Sequence, residues 1–148
     1  MTALHYRIMD ESDIPKIVPL YIEYYNEHEG SCWTEANARR RIHQVWSTED
    51  AYCLVLEENG RAIGFAMGYF VQYDDLIAYN LAEIVIAADR QGRGAGTALM
   101  EELERRVKEA GASLIELEAV CDPMHEHFYG KLQFKKVSNL VLMSKFLK

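Results

Sequence analysis

Residues Leu81–Met100, LAEIVIAADRQGRGAGTALM, decide the fold of this 148-residue chain. The stretch begins as an apolar strand, passes through a turn rich in glycine and continues as a helix. A helix start carries unpaired N–H groups and the positive end of the helix dipole, and glycines let an anion approach that backbone. The segment therefore predicts an anion site, most simply for a pyrophosphate, with Arg93, and also Arg90, able to add positive charge.

Three phosphate-binding motifs compete for this turn. A P-loop requires Gly-Lys followed by Ser or Thr, and here Gly96 is followed directly by Thr97, which excludes it. A dinucleotide fingerprint, G-x-G-x-x-G, fails in both registers that the glycines allow. The third pattern, Q-x-x-G-x-G, is filled by Gln91, Gly94 and Gly96.

Composition sets the broad class. Lys and Arg number 16 and Asp and Glu 23, a net charge of −7, which disfavours a general nucleic-acid binder. We expect one domain, residues 1–148, because that length is typical of a single domain. The N-terminus lacks the apolar run of a signal peptide, no stretch is long enough to span a bilayer, and the three cysteines show no zinc spacing. These features favour a cytoplasmic protein without a metal.

The rest of the chain alternates helices and strands. Pro19 should start, bend or split the first helix, and Asn59-Gly60 favours a hairpin turn. The order βααβββαβαββ predicts a mixed α/β layer protein with an antiparallel hairpin region. The predicted strands cover Leu4–Met9, Ala51–Glu57, Arg61–Gln72, Tyr79–Ile86, Ser113–Ala119 and a terminal hairpin, Phe134–Val137 with Leu140–Phe146; the predicted helices run from Ser12 or Asp13 toward Glu27, from Thr34 through Trp46, from Thr97 to Ala110, and over His125–Lys131.

Here the sequence resembles the GNAT family of N-acetyltransferases. That family has the Q-x-x-G-x-G motif between its fourth strand and third helix, where the turn cradles the pyrophosphate of acetyl-CoA. A second motif supports the resemblance, since residues 127–134, HFYGKLQF, look like the family's F-Y-x-K-L-G-F. Gln133 departs from it, because glycine is usual there. The resemblance covers nearly the whole chain and implies a central, mixed but mostly antiparallel sheet flanked by helices.

The resemblance also implies how acetyl-CoA, the co-substrate, is bound. The pantetheine arm lies beside the fourth strand, so Ile84 and Ile86 would offer it their backbone groups. A bulge or splay in that strand would free N–H groups to polarise the thioester carbonyl. The pyrophosphate would contact the turn, whose candidate residues are Gln91, Gly92, Arg93, Gly94, Ala95, Gly96 and Thr97.

Two catalytic residues follow from the family match. Tyr129 matches the tyrosine that lies near the CoA sulfur and donates a proton to the leaving thiolate. Glu83 interrupts an otherwise apolar strand, a costly place for a carboxylate unless it faces a wet cleft, and matches a glutamate that removes the amine's proton directly or through water. Strand alternation places Glu83 on the face opposite Ile84 and Ile86. The family asparagine that contacts the CoA arm is Asp122 here, which would serve equally well as a helix cap.

The resemblance also implies that the acceptor amine lies between the first helices and the region of strands three and four. Aromatic and acidic residues there suit a cationic amine, loosely as in polyamine and diamine acetyltransferases. The same acidic residues are equally explained as a solvated surface. The main candidates are Tyr25, Glu27, Trp33, Tyr73 and Asp74, within a wider set that adds Tyr24, Asn26, His28, Glu29 and Asp75.

The sequence thus favours an acetyl-CoA-dependent N-acetyltransferase acting on a small primary amine. Alternatives remain: transfer to a protein or peptide amine, or a catalytically silent acyl-CoA-binding or regulatory module. A silent module has no need for both Tyr129 and Glu83. Family members are often dimers, so a homodimer is expected.

Overall fold

The computed structural model describes residues 4–147, which contain five strands and four α-helices. In chain order these are β1 (Leu4–Ile8), α1 (Ile14–His28), α2 (Glu35–Trp46), β2 (Ala51–Glu58), β3 (Arg61–Gln72), β4 (Ile77–Ile86), α3 (Ala95–Glu109), β5 (Leu114–Leu117) and α4 (Pro123–Lys131). The chain divides after Glu118 into two compact units. The mixed α/β class is confirmed.

The sheet lies wholly in the first unit. Its strands follow the order β1-β2-β3-β4-β5, with antiparallel pairing from β1 through β4 and parallel pairing between β4 and β5. Asn59 and Gly60 have φ of 53° and 80° in the β2–β3 turn, the positive values that a tight hairpin turn requires. The prediction of a mostly antiparallel mixed sheet is therefore confirmed.

Two helical layers enclose the sheet. Helices α1 and α2 bury Ile17 and Ile42 against the sheet. The strand residues that they meet are Val55, Phe65 and Val85, which lie opposite one another on β2, β3 and β4. The intervening strand residues are buried too, and α3 packs against β3 and β4 through its apolar stripe. That stripe consists of Leu99, Leu103 and Val107.

The helix starts follow local capping chemistry. Thr34 accepts the backbone N–H of Asn37 at the start of α2, as predicted. The first helix begins after Asp13 with Pro15 in its first turn, and continues through Pro19 without a break. A proline removes one helical hydrogen bond, and the buried face of α1, which includes Val18 and Tyr21, holds the helix together across that gap.

Strand β4 is irregular where the site lies. Gly68 of β3 pairs with Leu81, whereas the preceding Met67 pairs with Glu83, so Ala82 is an extra, bulged residue. A Cβ on Gly68 would meet the carbonyl oxygen of Asn80, so glycine is required opposite the bulge. The bulge lies two residues before Ile84.

The predicted terminal hairpin is not formed. Residues 134–147 have no strand assignment, and the apolar side chains from Leu140 to Leu147 are two-thirds or more exposed. An apolar segment makes a strand only when a neighbouring strand pairs with its backbone, and residues 134–147 have no such partner among the described residues. Among those residues, no helix is long and apolar enough to cross a membrane.

Candidate active site

The glycine-rich turn forms an open backbone concavity. Gly92 and Gly94 have φ of 75° and 81°, and Gly94 is the N-cap of α3. No side chain caps that helix start within the described chain. A Cβ on either glycine would meet no atom within 4 Å, so the positive φ, not crowding, requires glycine there. N–H groups held this way form an anion-binding nest.

The turn is tied to the end of β4 by Gln91. Its side-chain Nε2 donates to the carbonyl oxygen of Ile86 at 2.9 Å. The neighbouring Ala87 N–H donates to Ile63 on β3 at 2.8 Å. Because backbone groups alternate along a strand, Ala87 faces β3 whereas Ile84 and Ile86 face the other edge.

That other edge of β4 is only partly paired. Strand β5 pairs with β4 from Ala78 to Leu81, and no described strand continues the pairing beyond Leu81 on that side. The backbone of Ile84 and Ile86 therefore lies along an open strand edge that leads to the glycine turn. An extended chain can add to such an edge by main-chain hydrogen bonds.

The two arginines of the turn differ in their contacts. Arg90 donates through Nε and Nη2 to Glu58 at 2.8 and 2.5 Å, which fastens the start of the turn to the β2–β3 hairpin. Arg93 is exposed at the rim of the turn. Arg90 is therefore engaged structurally, and Arg93 is the cation better placed to meet a ligand phosphate.

Glu83 lies in a buried polar cluster between the sheet and the first two helices. Only 6% of its surface is exposed. Its Oε1 accepts from Arg41 Nε at 3.1 Å and from the Tyr21 hydroxyl at 3.3 Å, and its Oε2 accepts from the Tyr25 hydroxyl. The prediction that Glu83 and Val85 share a face is confirmed, because both contact the α1–α2 side.

The partners of Glu83 are held in their proton-donating forms. Burial, and next the charge of Glu83, raise the pKa of both Tyr21 and Tyr25 far above the usual tyrosine value. For Arg41, burial lowers the pKa, but the contact with Glu83 outweighs it and the net shift is upward. Both phenols therefore remain protonated at neutral pH and donate to the carboxylate.

The structure separates the predicted acceptor residues. Tyr25 belongs to the Glu83 cluster, and Trp33 packs edge-on against Tyr21 with ring centroids 5.1 Å apart. Glu27 is exposed on α1. Tyr73 and Asp74 are exposed at the other end of β4 from Glu83.

Two of the candidate residues, Tyr73 and Trp33, make local contacts that position loops. The hydroxyl of Tyr73 donates to Glu116 on β5 at 2.6 Å, which links the β3–β4 turn to that strand. Asn26 bonds to the backbone of Trp33 through both ends of its amide, at 2.8 and 3.1 Å, and so shapes the connection between α1 and α2. The predicted set therefore does not form one site.

A cavity of about 430 Å³ lies beside the bulge of β4. Sequence reasoning missed most of its lining. One signal was present, since Asn80 interrupts the apolar strand as Glu83 does, whereas Arg41 looked like an ordinary helix-surface arginine. The lining residues are Arg41, Gln44, Val45, Thr48, Tyr69, Asn80, Leu81, Ala82 and Glu118.

Tyr129 lies in the second unit, on α4. Its ring stacks on His125 with centroids 6.4 Å apart, and Phe128 and Phe134 meet it edge-on at 5.0 and 5.6 Å. Asp122 is the N-cap of this helix and accepts from the His125 backbone N–H at 2.7 Å, so the capping prediction is confirmed. That bond, and next the His125 ring, hold the pKa of Asp122 below its usual range.

No metal site is found in the part of the chain that the structure describes. No group of three or more His, Cys, Asp or Glu side chains could hold an ion there. Cys53 is buried, which raises the pKa of its thiol to about 11, and Cys32 and Cys121 are exposed.

The fold and the glycine turn agree with a family assignment. The model of the acetyltransferase (GNAT) family matches residues 14–134, and the chain belongs to this family of acetyltransferases.

Solved structures share the fold at low sequence identity. A possible acetyltransferase from Clostridium difficile 630 superposes with a TM-score of 0.84 at 11% identity, over 98% of this chain and 99% of that one. An aminoglycoside N-acetyltransferase in complex with CoA gives 0.77 at 14%, over 98% and 96%. Glucosamine-6-phosphate N-acetyltransferase from Arabidopsis thaliana gives 0.70 at 20%, over 99% of both chains. These matches establish the fold and leave the substrate open.

Proposed function

We propose that the protein transfers the acetyl group of acetyl-CoA directly to a primary amine of a small molecule. One observation carries the proposal. A helix start at Gly94 that no described side chain caps follows a strand whose outer edge no described strand pairs beyond Leu81. A phosphate nest continuous with an open strand edge suits a ligand with a pyrophosphate and an extended amide-bearing arm. The similar enzyme solved with CoA supports this choice of ligand.

The residues present fit acetyl-CoA as a co-substrate. The backbone N–H groups from Gln91 to Thr97 would hold the pyrophosphate, and Arg93 would add a positive charge. The backbone groups of Ile84 and Ile86 would bind the arm. Acetyl-CoA supplies the activated acyl group as a thioester.

Glu83 and Tyr129 are the residues to which we assign the proton transfers. A primary amine is mostly protonated at neutral pH and must lose a proton to attack the thioester. Glu83 is nearly buried, so a water molecule would carry that proton to its carboxylate. As the new N–C bond forms and the C–S bond breaks, the phenol of Tyr129 would protonate the departing thiolate.

The structure bears on which amine is the acceptor. The acidic and aromatic residues of the sequence favour a diamine or polyamine, but Glu27 and Asp74 are exposed on different elements. The cavity beside β4 has the volume of a small-molecule site, for which about 300–1,000 Å³ is typical. We therefore retain a small primary amine as the acceptor, bound in this cavity.

A homodimer is part of the proposal. The segment from Leu140 to Leu147 exposes a run of large apolar side chains that includes Phe146, and monomers rarely leave such a patch uncovered. A second copy of the chain would cover it. Sedimentation equilibrium should give twice the chain mass, and a monomer at all concentrations would contradict the dimer.

The experiment that tests the function measures thiol release from acetyl-CoA in the presence of a panel of amines. Amine-dependent release is expected for at least one small amine. Binding of acetyl-CoA without release for any amine, peptides included, would instead identify a silent acyl-CoA-binding module.

A further inference from the structure

The cavity beside β4 carries one charged side chain of each sign. Arg41 lies on α2, and Glu118 follows β5. The other polar groups of the lining, which include Gln44 and Asn80, are neutral. A polycation would meet the guanidinium of Arg41 inside this cavity, and a polyanion would meet Glu118. A ligand with both charges suits the lining better than either.

Arg41 has donors left for a ligand. Its contact with Glu83 uses Nε and it also bonds to the Tyr21 hydroxyl, which leaves further N–H groups among the five of a guanidinium for a ligand. Its side chain is 40% exposed while it lines the cavity. A planar guanidinium is well suited to bind a carboxylate or phosphate through two parallel hydrogen bonds.

The contact between Arg41 and Glu83 limits the separation between the amine and the anionic group of the acceptor. The two side chains are in direct contact at 3.1 Å. A group bound by Arg41 and an amine that gives its proton toward Glu83 must therefore lie close together. Even with one water between the amine and Glu83, this proximity favours an anionic group carried on a short spacer from the amine.

We propose that the cavity binds a small zwitterionic amine, with Arg41 holding an anionic group adjacent to the amine that is acetylated. This inference rests on the proposed acetyl transfer and names its acceptor class. The shared chemistry is an anionic group beside a primary amine, whether that group is a carboxylate, as in amino acids, or a phosphonate.

The experiment compares matched acceptors that differ in the anionic group alone. Amino acids and aminoalkyl phosphonates are assayed against the corresponding amino acid amides and simple alkylamines, and thiol release gives kcat/KM for each. We expect the anionic acceptors to be preferred by about 10- to 100-fold, as for a charge-assisted hydrogen bond. The amides are the less basic amines, which favours them chemically, so a preference for the anionic form reports binding.

Variants of two cavity residues locate the preference. Arg41→Gln should remove the preference mainly through KM, and Arg41→Lys should keep part of it. Arg39→Gln, the matched control, removes an equal charge from the same helix outside the cavity lining and should leave the preference intact. Gln44→Lys should strengthen the preference and Gln44→Glu weaken it. Both variants keep Arg41, so they test the proposal even if Arg41→Gln fails to fold.

The outcomes separate the two proposals. If none of the amines supports thiol release, the proposed function itself is contradicted. Release in which the uncharged amines or polyamines match the anionic acceptors would overturn the zwitterion proposal alone. A preference for anionic acceptors that the Gln44 variants leave unchanged would also overturn the zwitterion proposal. Calorimetry of the preferred acceptor with the CoA-bound protein gives a second readout, and wild-type affinity in Arg41→Gln would also overturn it.

Discussion

Arg41 on α2 donates its Nε to Glu83 on β4 at 3.1 Å, a contact between residues 42 positions apart in the chain. With the hydroxyls of Tyr21 and Tyr25 it satisfies a carboxylate that lies in an otherwise apolar strand. A buried carboxylate without such partners would be strongly destabilising. The contact therefore explains how Glu83 can occupy a core position and still lie beside a cavity that Arg41 lines.

Replacing Glu83 with Gln should lower kcat while leaving acetyl-CoA affinity within about twofold of wild type. The amide keeps the size of the side chain but cannot accept a proton, and the loss of a general base typically costs about 10²- to 10⁴-fold. Steady-state kinetics and calorimetry measure the two quantities. Glu23→Gln, at an exposed position on α1, is the control and should behave as wild type. An unchanged kcat in Glu83→Gln would remove the base role.

Tyr129→Phe should reduce turnover far more than acetyl-CoA affinity. The ring contacts with His125 and Phe134 can persist, whereas the proton donor to the leaving thiolate is lost. A fall of about 10²-fold or more is expected for a general acid. If the variant turns over as fast as wild type and its melting temperature is unchanged, Tyr129 is not the acid.

Gly94→Asp should abolish acetyl-CoA binding, because it places a carboxylate and a strained positive φ at the start of α3. Gly60→Asp is a closely matched control. Its φ is 80° against 81° for Gly94, and a Cβ meets open space at both positions. Calorimetry should show normal affinity for Gly60→Asp. Equal affinities for both variants would refute the phosphate site in the turn.

Gly68→Ala should destabilise the fold and disturb the bulge. The new methyl group would meet the carbonyl oxygen of Asn80 and, at 2.7 Å, the ring of Tyr79. Overpacking of this kind typically costs about 1–3 kcal/mol of unfolding free energy. Gly130→Ala in α4, where a Cβ meets nothing within 4 Å, should be neutral or stabilising. Urea denaturation of both variants gives the comparison, and an equal stability for the two would contradict the close contact.

Local chemistry explains what could be predicted from the sequence. The cap of α2 at Thr34, the Asn59-Gly60 turn and the glycine-rich turn each depend on a few adjacent residues, so their patterns are specific. The interruption of an apolar strand by Glu83 also marked the site correctly as polar. The sequence could not reveal that Arg41 is a hydrogen-bond partner of Glu83, because Arg41 reaches Glu83 only after α2 packs on the sheet.

Contacts between distant segments could not be predicted from the sequence. Glu27 and Asp74 share an acidic character that predicted one acceptor surface; the structure has them exposed on α1 and on the β3–β4 turn, and their contact with a substrate stays a prediction. The apolar residues of Leu140–Phe146 predicted a strand, but a strand needs a partner backbone that a sequence pattern does not specify.

The central claim is direct transfer of an acetyl group to an amine, and the most direct measurement follows that group. Acetyl-CoA labelled with deuterium in its acetyl group is incubated with the protein and the preferred amine, and the products are analysed by mass spectrometry with thiol release measured in parallel. The account predicts that the label appears in an N-acetylated amine, with one thiol released for each label transferred. Label found only in acetate or unreacted acetyl-CoA, with the amine unchanged, would contradict it.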